Sequence, residues 1–174
     1  MITLFDEIEK PTLVIDEPRV RANIHRMIHK ANQQNIRFRP HFKTHQSVEI
    51  GNWFREEGVL GITVSSLDMA QYFARAGWTD ITVAFPVNLR QLADIQVLAS
   101  KIRLGVLVES AETVEALGKG LKSPLDIWIK IDTGSGRTGI AWDDVAAVKP
   151  LIQLLRKTPK LHLRGLLTHA GYTY

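Results

Sequence analysis

The chain has 174 residues, 45% of them hydrophobic and 23% charged, a net charge of +4 and no cysteine. That is enough chain for one soluble domain with a real core, and it excludes disulfides and cysteine-based zinc sites. The lysines and arginines are dispersed, which fits a solvated surface better than a nucleic-acid stripe, and no apolar run reaches the ~18 residues of a membrane span. Met1 leads straight into Phe5, Asp6 and Glu7, so no signal peptide is expected and the default compartment is the cytoplasm.

Thr12 to Ile15 reads as a short strand, and Asp16 with Pro18 as a helix start. Val20, Ile24, Met27 and Ile28 sit at helical spacing, and Asn35 ends that helix. His25 and His29, one turn apart on the other side, belong to a solvated face rather than a metal site, because no acidic third ligand is near. A strand is expected from Arg37, then a helix from Ser47 to Glu57 stopped by Gly58, and a strand from Leu60 to Val64. Ser66 caps a helix from Leu67 to Ala76, and Ile81 to Phe85 is a strand closed by Pro86. Asn88 opens a helix to about Ser100, Leu104 to Val108 is a strand, and Ser110 caps a helix to about Leu117. Leu125 to Ile131 is a strand, Asp143 opens a helix toward Lys157 that Pro150 should kink or divide, and Leu161 to Thr168 is the last strand.

Strands alternating with helices of about ten residues mean βα units on a parallel sheet. Six such strands follow the first short one. A closed barrel of this kind needs eight strands and ~250 residues. The expected class is therefore α/β, an incomplete TIM-type (β/α)8 barrel. No Gly-x-Gly-x-x-Gly follows the first strand, which disfavours a dinucleotide-binding sheet.

Three stretches carry chemistry. In Arg37 to His45, strand alternation would put Arg39, His41, Lys43 and His45 on one side. A solvated basic loop is one reading. The other is a reactive amine, since burial and nearby positive charge both disfavour the ammonium form of Lys43, and a neutral amine attacks carbonyls to form a Schiff base. The second stretch runs from Trp128 to Gly139. Lys130 and Asp132 share a face, and Gly134, Gly136 and Gly139 hold Arg137 at the C-terminal end of a strand, where sites of parallel barrels gather. A glycine-rich turn with a surface arginine is the plainer alternative. The third is Gly165 to Tyr174, with His169 at the end of the last strand; Ser65 and Ser66 end another strand in a similar way.

Arg39-Pro-His-Phe-Lys-Thr-His45 resembles the cofactor-lysine motif of the D-threonine aldolase and D-serine dehydratase family, fold type III pyridoxal-phosphate enzymes that share the alanine racemase barrel. Lys130 to Gly139 is similar to the Lys-x-Asp-Thr-Gly-x-x-Arg-x-Gly segment of alanine racemase, and Gly165 to Gly171 to a segment whose histidine backs the cofactor ring. The resemblance implies that pyridoxal 5'-phosphate is the cofactor and that Lys43 forms the internal aldimine. It also implies that His169 packs on the pyridine ring, that Arg137 lies near the phenolic oxygen with Lys130 beneath it, and that His41 joins Lys43, Arg137 and His169 in holding the cofactor. The implied activity is aldol cleavage or dehydration of a D-amino acid with a β-hydroxyl. An amino-acid racemase, a non-catalytic pyridoxal-phosphate carrier and an inactive remnant are the alternatives. The Thr12 to Ile15 strand, which in two-domain relatives joins the β domain, argues against a carrier.

The resemblance covers the N-terminal portion of such enzymes over residues 1–174. The remaining barrel strands and the C-terminal β domain, which in the aldolases and dehydratases binds a divalent metal, lie outside this span, so no metal ligand is expected within it. A homodimer is expected at full length, with no nucleic-acid or membrane partner. For these residues alone, unpaired sheet edges and partly uncovered Val83, Val106, Ile129 and Leu167 are expected to cause self-association.

Overall fold

The computed structural model describes residues 4–173, so Met1 to Thr3 and Tyr174, the last residue of the third motif, lie outside the described residues. The chain divides into two compact units between Phe38 and Arg39. In the first, helix α1 spans Glu17–Gln33. Asp16 caps it by accepting from the Arg19 backbone N–H at 3.0 Å. Just beyond the helix Asn35 takes a positive φ of 53°, in keeping with a helix stop there. The strand expected at Thr12 to Ile15 is absent. These residues pair with no strand among the described residues, and Leu13 is 87% exposed. Apolar composition alone does not make a strand; the ladder partner does.

The second unit carries the sheet: β1 (Ile62–Val64), β2 (Asp80–Pro86), β3 (Arg103–Val108), β4 (Leu125–Asp132), β5 (Ile140–Ala141) and β6 (Leu161–Thr168). Its helices are α2 (Val48–Glu56), α3 (Leu67–Arg75), α4 (Leu92–Ala99), α5 (Ala111–Gly120) and α6 (Val145–Arg156). All pairings are parallel, and the order β1-β2-β3-β4-β6 follows the chain without reversal. This is the α/β barrel arrangement expected, with part of the barrel present. The two-residue β5, unforeseen, pairs with the end of β4.

Local chemistry accounts for the helix starts. Ser47, Ser66 and Ser110 accept from the backbone N–H groups of Ile50, Met69 and Thr113 at 3.1, 3.1 and 3.2 Å. Each thereby satisfies a donor that the helix leaves open. The segment after Asn88 begins as a tight 3-10 turn, Leu89–Gln91, before α4. Helix α6 runs unbroken through Pro150, against expectation. Proline there removes one backbone donor, while Leu151 and Leu155, each 2% exposed, keep the helix seated. Val83, Val106 and Ile129, expected to be partly uncovered, are buried at 8%, 2% and 0% exposure. Leu167 is half-buried.

The lysine segment departs most from a strand. Only His41 pairs with the sheet, by a single parallel bridge to Thr63. Phe42–Thr44 then form a 3-10 turn. The cause is Phe42, which is fully buried. Its ring lies 4.9 Å from Phe73, 5.3 Å from Phe54 and 5.3 Å edge-on from Trp78. Gly51 on α2 makes room, since a Cβ there would come within 3.0 Å of the ring. Burying an aromatic ring this way outweighs the few ladder bonds that an extended strand would add.

Phe42→Ala should lower stability by about 3–5 kcal/mol in chemical denaturation, the usual cost of emptying a packed aromatic site. A loss under about 1 kcal/mol would mean that the cluster does not hold the turn.

Candidate active site

The 3-10 turn separates the four side chains that alternation would have placed together. Arg39, His41 and Lys43 line one cavity of about 230 Å³ at the C-terminal end of the strands. His45 does not. It packs 4.5 Å from the Phe42 ring and stacks on Phe54 at 5.8 Å. Nor is Lys43 buried, as the reactive-amine reading expected; it is exposed at the cavity mouth. Two of its supposed cationic neighbours also bring less charge than expected. Arg39 is paired with Asp80 at 2.7 Å. The imidazole of His41 is pushed down to about 4 by burial, then by the charges of Lys43 and His169. His41 is therefore neutral near pH 7. The unfolded chain would titrate this position at the ordinary 6.5. Its contribution to stability is thus complete above about 6.5 and lost as pH falls toward 4.

Arg137 lines the same cavity. It is delivered by the glycine loop after β4, and Asp132 organises that loop. One carboxylate oxygen accepts from the N–H groups of Gly134 and Ser135 at 3.0 and 2.8 Å and from the Ser135 hydroxyl at 3.0 Å. The other accepts from the Gly136 N–H at 2.8 Å. Desolvation works to raise the Asp132 pKa, but these four bonds outweigh it and hold the carboxyl below its usual range. Asp132 thus serves the loop, while Lys130, two residues earlier, lines the cavity. Gly139 closes the loop at a φ of 108°, where a Cβ would lie 2.8 Å from the Asp132 nitrogen. Lys130 is only 4% exposed, and its Nζ donates to the Ile131 carbonyl at 3.3 Å. Burial, then the charge of Arg137, lowers its pKa, against the pull of Asp132 and Glu109.

His169 reaches the cavity through a bulge in β6. Ile127 on β4 faces Leu163, but Trp128 faces Gly165, so Arg164 is an extra residue. Gly165 takes the unusual φ of 152° with Trp128 close by. The bulge shifts the alternation by one. Leu167 rather than Leu166 then lies opposite Lys130, and Leu167 and His169 both line the cavity. Bulges beside active sites commonly re-aim side chains in this way. Lys43, Arg137 and His169 thus surround one cavity, as the sequence suggested. Ser65 and Ser66 do not; they border a neighbouring apolar cavity of about 290 Å³. His25 and His29 stack at 6.5 Å, and no cluster of potential metal ligands occurs among the described residues.

Sequence reasoning missed the polar floor at the other end of the strands. Arg39, Asp80, Arg103, Asp126 and Arg164 form a chain of ion pairs, with close contacts of 2.7 Å (Arg39–Asp80), 2.7 Å (Arg103–Asp126) and 2.8 Å (Arg164–Asp126). Arg103 is also 3.7 Å from Asp80. The hydrogen bond and charge of Asp126 hold Arg103 more firmly protonated. The signal was available for three of them: Asp80 and Arg103 open β2 and β3, and Asp126 is the second residue of β4, so parallel pairing sets them in one layer.

Residues 15–173 match the family model described as alanine racemase, N-terminal domain. The chain belongs to this family. Within the alanine racemase N-terminal family it is 36% identical over 174 residues to D-threo-3-hydroxyaspartate dehydratase from Delftia sp. (strain HT23), covering 96% of this chain and 45% of the relative. It is 29% identical to D-threonine aldolase from Arthrobacter sp. over 168 residues, 94% of this chain and 44% of the relative. Solved structures agree. The Delftia dehydratase superposes with a TM-score of 0.87 at 34% identity, covering 95% of this chain and 44% of that one. D-threonine aldolase from Filomicrobium marinum gives 0.86 at 26% identity, over 94% and 44%. The chain therefore spans under half the length of these relatives. No helix among the described residues is long and apolar enough to cross a membrane.

Asp132→Ala should abolish hydrogen-exchange protection at the amides of Gly134, Ser135 and Gly136 while leaving β3 protected. Unchanged protection in the loop would show that the carboxylate does not hold it.

Proposed function

We propose that this chain is the cofactor-lysine half of a pyridoxal-phosphate-dependent lyase acting on D-amino acids with a β-hydroxyl, by dehydration or aldol cleavage. The observation that carries the reading is the composition of the cavity. It gathers Lys43, Lys130, Arg137, His41 and His169, and its wall contains no carboxylate. An excess of cationic and N–H donors around an accessible primary amine fits an anionic ligand that bears a carbonyl, and about 230 Å³ gives room for one small aromatic ring. Pyridoxal 5'-phosphate has that chemistry, and when bound it supplies an electron sink for bonds at the substrate's α-carbon.

The chain's own residues divide the work. Lys43 presents the amine at the cavity mouth, on a turn whose register is fixed by Phe42. Arg137 brings a guanidinium to neutralise anionic oxygens, and Lys130 beneath it keeps that region positive. His169 adds an imidazole to the cavity wall from the end of β6. The names of the relatives favour lyase over racemase: D-threo-3-hydroxyaspartate dehydratase matches at 36% identity over 174 residues, whereas an alanine racemase from Listeria monocytogenes matches at 29% over 166.

The test uses the full-length protein incubated with pyridoxal 5'-phosphate, reduced with borohydride and mapped by peptide mass. The label should fall on Lys43, and Lys43→Ala should lower turnover of D-threonine, D-serine and D-3-hydroxyaspartate by about 10³-fold or more. Labelling confined to other lysines, or an active Lys43→Ala enzyme, would overturn the reading.

A further inference from the structure

The imidazole of His41 is held by the residue it serves. The peptide N–H of Lys43 donates to His41 Nδ1 at 3.2 Å, which caps the 3-10 turn. A peptide nitrogen only donates, so Nδ1 must present its lone pair, and the proton of the neutral ring sits on Nε2. The neutral form is the one populated near pH 7, because burial, Lys43 and His169 all oppose a second proton. In this state the ring has no lone pair to spare. Nδ1 is engaged, and Nε2 already carries hydrogen. His41 therefore cannot take a proton from Lys43 or from a substrate. What it offers is one N–H, on the ring edge away from Nδ1, in a residue that lines the Lys43 cavity.

We propose that His41 is a cofactor-binding residue that donates its Nε2–H to an anionic oxygen of the cofactor beside Lys43, and that the Lys43 peptide group fixes the tautomer that allows it. The proposal rests on the pyridoxal-phosphate reading above. It adds a polarity to that site. Lys43, Lys130 and Arg137 attract negative charge from any direction, whereas a single N–H of fixed tautomer favours one orientation of the ligand. The arrangement also ties the donor to the amine. The turn that carries Lys43 is the turn His41 caps, so the two groups move together.

A purely structural role, capping the turn, is the competing account, and one substitution separates the two. Asparagine at the cap position accepts the same peptide N–H through its side-chain oxygen. It has no nitrogen where Nε2 stood. His41→Asn thus keeps the cap and removes the donor. In the full-length wild type, ¹⁵N NMR of labelled histidine should show His41 Nδ1 as an acceptor-type nitrogen and Nε2 as N–H from about pH 5 to about pH 8. Adding pyridoxal 5'-phosphate should move the Nε2–H proton downfield. His41→Asn should unfold at the wild-type temperature and bind pyridoxal 5'-phosphate about tenfold more weakly or worse, followed by absorbance. A proton on Nδ1, an Nε2–H signal that responds only when D-serine is added, or binding by His41→Asn within about twofold of wild type would overturn the proposal. The wild-type spectra decide by themselves if His41→Asn fails to fold. Wild type that binds no pyridoxal 5'-phosphate at Lys43 would overturn the functional reading itself, whereas tight binding unaffected by His41→Asn would overturn this inference alone.

Discussion

The burial of the Phe42 ring is the constraint on which the site depends. A run of alternating residues from Arg39 would, as a strand, give four cationic or ionisable side chains one face. Instead the ring is drawn into the pocket formed by Phe54, Phe73, Trp78 and the bare backbone of Gly51. The chain must then leave the sheet at His41 and turn. That turn sends Lys43 to the cavity and folds His45 back into the aromatic cluster. It also brings the Lys43 peptide nitrogen onto the His41 ring. A packing event on the helix side of the sheet thus sets both the position of the amine and the tautomer of its neighbour.

The other two arms of the cavity are positioned by separate devices, each local. Arg137 depends on the carboxylate of Asp132, which gathers three backbone N–H groups and one hydroxyl into a closed loop. His169 depends on one extra residue in β6, which changes which side chains of that strand face inward. Toward the opposite end of the strands, alternating arginines and aspartates tie the starts of β2, β3 and β4 to one another and to Arg164 of β6. Removing one partner of such a partly buried pair would leave the other's charge uncompensated. The charged floor and the mouth of the Lys43 cavity lie toward opposite ends of one parallel sheet, and in parallel barrels sites gather at the C-terminal end.

The alternation of strands and helices, the serine caps and the parallel order were all legible in the sequence, because period-2 and period-3.6 patterns and capping residues are local signals. So was the gathering of Lys43, Arg137 and His169 at one cavity, each of them in a recognisable motif. What was not legible is where a local pattern yields to a distant one. Thr12 to Ile15 looks like a strand, but pairs with no strand among the described residues. The Arg37 to His45 pattern was overridden by the aromatic pocket that Phe42 fills. The bulge at Arg164 leaves only Gly165 as a trace, and that glycine reads equally well as a loop residue. Pro150 sits within a helix whose leucines hold it in place, and a leucine's burial is not visible from a proline's position.

The account stands on one cavity serving one anionic, carbonyl-bearing cofactor. A crystal structure of the full-length protein grown with pyridoxal 5'-phosphate tests it most directly. The account predicts continuous density from Lys43 Nζ to the cofactor's carbonyl carbon, with Arg137 and His169 at the ring and His41 Nε2 within hydrogen-bond distance, about 2.7–3.2 Å, of one of its anionic oxygens. Cofactor bound at another lysine, or bound in this cavity with Lys43 turned away to solvent, would contradict it.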